Sequence, residues 1–227
     1  TRCLSDWSSD VCSSDLVLLA AGASTRYSTP RPKYWLTMYD GRFMIEHAIE
    51  PFLDQVEHIH VVILEEHEQW NVSSVLASIY GDRVTVYALT SLSSGPAESA
   101  AVVLQYLGDR PVFIKDCDSV FTAQLPQGNF VCVQAGHTDS NKSYVKLTDS
   151  LVTDIVEKQT ISNIACVGGY GFANSRQFIN TLKQVPHDKE LFISDVVKRM
   201  LPVNYALVDN YVDLGTLNDF VSYNRKH

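Results

Sequence analysis

The chain has 227 residues, 45% of them apolar and 19% charged, and its 26 acidic against 18 basic side chains give a formal charge of −8. That acidity, with no basic run beyond the closing Arg225-Lys226, excludes a surface built to grip a nucleic-acid backbone or an anionic membrane. No stretch approaches the ~20 consecutive apolar residues of a membrane span, and the length suits one folded domain. The 5 cysteines form no CxxC pair, which argues against a disulfide framework or zinc knuckle and for a reducing compartment.

Residues 1–16, TRCLSDWSSDVCSSDL, stand apart from the rest. They lack the charged and apolar regions of a signal peptide. Residues 6–16 match the in-frame translation of a common sequencing-library adapter, so the expectation is an artefactual tail over 1–16 that has replaced the native start, and a single catalytic domain over 17–227.

The apolar run 16–21 ends in the polar turn 22–26, which predicts a strand buried on both faces. The spacing of Met44, Ile45, Ala48, Ile49 and Phe52 predicts a helix over 43–52. Strands follow at 56–64, 84–89 and 111–115, with helices over 66–80 and 97–107 between them and a Ser/Gly/Pro loop over 91–96. This alternation predicts an α/β domain with a mainly parallel sheet and right-handed crossovers, whose ligand lies outside the carboxyl ends of the strands. The polar loops 22–26 and 116–118 fall at such ends. Beyond them, 129–134, 143–147 and 151–157 read as antiparallel strands and 168–172 as a glycine-rich one. Helices are expected over 175–184 and 193–201, a last strand over 205–212, and a closing helix over 217–224.

The loop at Gly22 can turn backbone N–H groups toward a phosphate, and Arg26 adds a forked donor. It matches neither GxxxxGK[ST] nor GxGxxG. Asp116 and Asp118 lie two apart at a strand end, where two carboxylates repel unless a cation lies between them; Mg²⁺ suits such oxygen donors, and a solvated turn is the plainer alternative. Asp213 is a third candidate, with helix capping as its alternative. Lys33 follows the rigid Pro30-Arg31-Pro32, and Lys158 follows a strand end; either could equally be a solvated charge. No GxSxG occurs, and Cys117 lies between two aspartates that disfavour its thiolate, so nucleophilic catalysis is disfavoured.

Taken in order, these segments resemble the sugar-phosphate nucleotidylyltransferases. The matching pieces are LAAGASTR over 19–26, Pro32-Lys33, MIEH over 44–47, GPAESA over 95–100, FIKDCD over 113–118, Glu157-Lys158 with GGYGF over 168–172, and YVDLGT over 211–216. The resemblance implies a three-layer α/β/α fold with a mixed, mainly parallel central sheet. It also implies a cytoplasmic, Mg²⁺-dependent enzyme that joins a nucleoside triphosphate to a sugar 1-phosphate or similar phosphate, releasing pyrophosphate, for surface polysaccharide synthesis. Arg26, Lys33 and Lys158 would be its catalytic cations. Ala20, Ala21, Gly22, Ala23, Ser24 and Thr25 would wrap the triphosphate, while Gly95, Pro96, Ala97 and Glu98 would read the base. Glu157, Gly169 and Tyr170 would meet the acceptor, and Asp116, Asp118 and Asp213 would supply the metal ligands, strand-end alignment favouring Asp116 over Asp118.

Where many relatives read Gly-Asp-Asn this chain reads Lys-Asp-Cys-Asp, and Gln159 and Leu217 replace usual prolines, which leaves the sugar open. The alternatives are a phosphocholine cytidylyltransferase with an aromatic box from Tyr170, Phe172 and Tyr211, a nucleotide-sugar-dependent glycosyltransferase, and an inactive nucleotide-sugar-binding relative.

Overall fold

A computed structural model of the chain describes residues 14–139 and 141–227. Residues 1–13 of the expected tail therefore lie outside the described residues. The remaining three, Ser14 to Leu16, belong to the first strand.

Strands β1 (Ser14–Leu19), β2 (Val56–Leu64), β3 (Val84–Leu89) and β4 (Val112–Asp116) run parallel in the order β4-β1-β2-β3. Strand β9 (Ile164–Phe172) pairs antiparallel with β4 and with β6 (Phe130–Ala135), and β10 (Asn204–Leu207) closes that edge parallel to β6. The hairpin of β7 (Tyr144–Thr148) and β8 (Leu151–Val156) joins the sheet through β9.

Successive side chains of a strand face opposite ways, and β1 uses both faces. Leu16 and Leu18 pack with Ile45 and Ile49 of α1 (Met44–Ile49) and with Val72 and Leu76 of α2 (Val72–Tyr80). Val17 packs on the other face with α3 (Pro96–Leu104), α4 (Ser175–Leu182) and α5 (Ile193–Lys198), through Ala100, Phe178 and Val196. The result is the expected three-layer α/β/α sandwich with a mixed, mainly parallel sheet. A separate small core of Tyr27, Met38, Met44 and Leu214 seats α6 (Leu217–Lys226). Among the described residues no helix is long and apolar enough to cross a membrane.

Two elements differ from expectation in ways that matter for the site. The strand expected over 205–212 is broken after Leu207, and its second half, β11 (Asp209–Asp213), leaves the sheet to pair antiparallel with the unexpected strand β5 (Ser119–Thr122). The helix expected over 66–80 breaks at Asn71, a left-handed residue that splits a 3₁₀ segment from α2.

Asp15 is out of keeping with its position. It is 1% exposed in the middle of the parallel sheet, its Oδ1 has no hydrogen-bond partner, and His60 Nε2 and Arg110 Nε stand 3.6 and 3.5 Å from Oδ2. A buried carboxylate without full partners costs more than an apolar side chain of similar size. Asp15→Val is expected to stabilise the protein by about 1–2 kcal/mol, because His60 keeps Tyr87 and Arg110 keeps Glu57. Thermal melting checks this; an unchanged or lower Tm would show that the ion pairs outweigh the desolvation.

Candidate active site

The parallel sheet sets the site's floor. Leu19 and Asp116 are register partners at the carboxyl ends of β1 and β4, so the turn 22–26 and the turn 116–118 leave the sheet side by side. Pairing of Asp213 with Ser119 in the β5–β11 ribbon, together with Leu214 N–H donating to the Asp118 carbonyl at 2.8 Å, then brings Asp213 next to Asp118. Residues nearly a hundred positions apart are thereby fixed by backbone hydrogen bonds rather than by their own side chains.

Gly215 marks the point of convergence. A β-carbon there would stand 2.9 Å from Asp213 Oδ1, 3.7 Å from Asp118 Oδ2 and 3.5 Å from Arg26 Nη1. Lys33, presented by a 3₁₀ turn after Pro32, holds Asp118 Oδ2 at 2.5 Å. Asp116 faces a different neighbour: a β-carbon on Gly168, whose φ is +79°, would lie 2.4 Å from its Oδ2. Burial, and then the Asp118 charge, push the Asp116 carboxyl up. Burial would push Asp118 up as well, but Lys33 and then Arg26 outweigh it and hold Asp118 below the usual carboxylate range. Its surroundings thus favour the ionised carboxylate more strongly at Asp118 than at Asp116.

These groups open onto a cavity of about 580 Å³ whose lining includes Thr25, Arg26, Pro96, Asp116, Asp118, Glu157, Lys158, Tyr170 and Asp213. In the same lining the Glu157 carboxylate accepts the hydroxyls of Ser143 and Ser194, the latter at 2.7 Å. Glu157 and Lys158 are not an ion pair with each other. Lys158 instead lies 4.5 Å above the Phe192 ring and 3.8 Å from Glu190. Gly95, at φ +152°, is packed so closely on Leu191 that a β-carbon would stand 2.5 Å from its carbonyl oxygen, which ties the start of α3 to the segment that carries Glu190.

Some expected residues are elsewhere. Gly169 turns its α-carbon to the other sheet face, where a β-carbon would meet Cys132 Sγ at 2.8 Å; alternation along β9 gives the cavity to Gly168 and Tyr170. Phe172 packs edge-on against Phe178 in the core and takes no part in an aromatic box. Ala20 and Ala21 are buried beneath the loop, and Glu98 Oε2 accepts the Ser94 N–H within its own turn. Cys117 is buried, and burial first of all pushes its thiol up to about 12, in keeping with an inert sulfur.

Two lysines were not singled out by the sequence. Lys142 bonds Asp213 Oδ2 and donates to Tyr211 Oη at 2.8 Å. Lys115, fully buried, donates to the carbonyls of Asp116 and Ser119 and lies 4.6 Å from the Phe121 ring, clamping the turn that carries both aspartates; burial lowers its ammonium to about 8. Neither lies in a spacing that distinguishes it from a solvated lysine.

Among the described residues no three His, Cys, Asp or Glu side chains gather into a metal cluster. Asp118 and Asp213 do converge, both as oxygen donors, and both already hold a cation in the form of a lysine ammonium. That donor set fits Mg²⁺, which is held by one or two carboxylates and completes its shell with phosphate oxygens and water.

The MobA-like NTP transferase domain profile matches residues 16–133, more than half of the chain. The chain belongs to that family. It is thus a nucleotidyltransferase, and the segment matched runs past Asp116 and Asp118 into β6. No curated protein matches the transferase in sequence. Among solved structures its fold is similar to the nucleoside-diphosphate-sugar pyrophosphorylase from Vibrio cholerae RC9 (TM-score 0.79, 19% identity, 92% of this chain and 99% of that chain). It is also similar to the inositol-1-phosphate CTP transferase from T. maritima (TM-score 0.78, 14% identity, 92% and 91%). A third likeness is the UTP-bound UGPase from Acinetobacter baumannii (TM-score 0.75, 17% identity, 94% and 93%).

Proposed function

We propose that this transferase joins a nucleoside triphosphate to the phosphate of a small acceptor, a sugar 1-phosphate in the first reading, giving a nucleotide-linked product and pyrophosphate in the cytoplasm for surface polysaccharide synthesis. The observation that carries this is the convergence of Arg26, Lys33, Asp118 and Asp213 beside a cavity that Glu157 and Lys158 also line.

Transfer of this kind asks little covalent chemistry of the protein and much positioning and charge neutralisation. Arg26, exposed at the end of the polar loop, grips the departing β and γ phosphates. Lys33 stands beside Asp118 and neutralises charge at the α-phosphate. Lys158 binds the acceptor phosphate, and Glu157, fixed by two serine hydroxyls, accepts an acceptor hydroxyl. Backbone groups of the turn at Gly95 and Pro96 meet the base. Asp118 and Asp213 would hold Mg²⁺, which when bound would supply Lewis-acid charge neutralisation for the reacting phosphates.

A second reading, phosphocholine as acceptor, is favoured by one detail. The Phe192 face and the Glu190 carboxylate already hold a cation, the Lys158 ammonium, and Tyr170 and Tyr211 line the same cavity. An aromatic face with a carboxylate is what a quaternary ammonium binds. The test is a matrix of CTP, UTP, dTTP, GTP and ATP against sugar 1-phosphates and phosphocholine, read by pyrophosphate release. Release in an acceptor-dependent combination is expected; no release, with consumption of a nucleotide sugar supplied in a parallel arm, would point to a glycosyltransferase.

A further inference from the structure

Both carboxylates assigned to the metal carry a lysine. The two lysines are not equivalent. Lys33 follows Pro32, whereas Lys142 stands just before β7, lines the cavity with Arg26 and Asp118, and accepts the Lys158 N–H on its carbonyl at 3.1 Å. Its ammonium is held between Asp213 Oδ2 and the Tyr211 hydroxyl, the latter at 2.8 Å. The lysine side chain is 12% exposed and the aspartate 42%. An exposed lysine attracted to a carboxylate would show the opposite balance; here the protein holds the cation and presents it to Asp213.

Resting on the metal reading above, we propose that Lys142 is a tethered counter-ion for Asp213, which keeps that carboxylate from a divalent cation until phosphate arrives to take the ammonium. A divalent cation on Asp213 would stand in contact range of a fixed positive charge and be repelled by it. Incoming phosphate oxygens reverse this: they offer Lys142 a second anionic partner and leave Asp213 to the metal. Binding of cation and of phosphate are then coupled, and such coupling is reciprocal. Lys142 acts through Asp213 and is a positioning residue in the metal-free state.

The two ligands are separable, and the variant moves them in opposite directions. Mn²⁺ binding is measured by electron paramagnetic resonance without any phosphate, and inorganic tripolyphosphate binding by calorimetry in the presence of chelator, for the full chain and for Lys142→Met and Lys142→Arg. Lys142→Met is expected to bind Mn²⁺ about tenfold tighter and tripolyphosphate about tenfold more weakly, while Lys142→Arg stays close to the unaltered protein in both. A side chain with a merely structural role would weaken both ligands together. Lys142→Gln replaces the methionine variant if the latter fails to melt cooperatively. Mn²⁺ affinity unchanged or lowered in the neutral variants overturns the counter-ion role, and unchanged tripolyphosphate affinity overturns the hand-over to phosphate. Mn²⁺ bound by none of the proteins overturns the metal reading itself, and the inference with it.

Discussion

Asp213→Asn is expected to lower Mg²⁺-dependent pyrophosphate release by about 10³-fold, equivalent to ~4 kcal/mol of transition-state stabilisation. The substitution removes one negative charge from the pair that converges on Gly215 and leaves the geometry almost intact. Asparagine Oδ1 can still accept the Gly215 N–H that Asp213 accepts at 2.9 Å. The position of the residue is fixed by β11 pairing with β5 rather than by its carboxylate. Because Asp213 is 42% exposed, loss of its ion pair with Lys142 should change Tm by only a few degrees. A steady-state assay together with a melting curve separates the two effects. Turnover within tenfold of the unaltered enzyme would remove Asp213 from the metal site.

The second large effect is expected at Gly168. Its φ of +79° favours glycine, and an alanine β-carbon would lie 2.4 Å from Asp116 Oδ2 and 3.0 Å from Asp116 Cβ. Asp116 is hemmed in by the sheet and cannot yield cheaply. Gly168→Ala is therefore expected to cost about 2–3 kcal/mol of stability, combining backbone strain with the clash. It should also cut turnover at least ~10-fold, since the displaced turn carries Asp118. Gly22→Ala is the matching control: nothing lies within 4 Å of the added carbon and its φ is not positive. Its stability should stay within about 0.5 kcal/mol. A Gly168→Ala protein as stable as the Gly22→Ala one would mean that Asp116 and its turn move freely.

The large pattern of this fold is legible in the sequence because the strongest signals are hydrophobic and local. The apolar runs 56–64 and 84–89 coincide with β2 and β3. The polar turn after β1 and the paired aspartates after β4 fall at the carboxyl edge of a parallel sheet, as its topology demands. What the sequence could not display is created by non-local geometry. β5 has only four residues and no partner until β11 folds back on it, so neither its existence nor the break at Val208 is encoded in a window of neighbours. The choice between Asp116 and Asp118 depends on Gly168 and Lys33, which approach from other elements. The resemblance of the GGYGF segment implies that Gly169 meets substrate, but strand alternation turns it away from the cavity. Lys142 and Lys115 are ordinary lysines in sequence and acquire their roles only from what surrounds them. The departures cluster at the site, where function asks for charges that a folding pattern alone would not put there.

Under the proposed function, the cavity makes a phosphate–phosphate linkage between nucleotide and acceptor. Phosphorus NMR of the reaction mixture with the best pair from the substrate matrix tests this directly, because it observes the new linkage rather than a by-product. Two coupled diphosphate signals of the joined product are expected, with pyrophosphate in equal amount, both abolished when chelator removes Mg²⁺. Nucleotide hydrolysis with the acceptor phosphate unchanged, or no joined product from any nucleotide and acceptor pair, would contradict it.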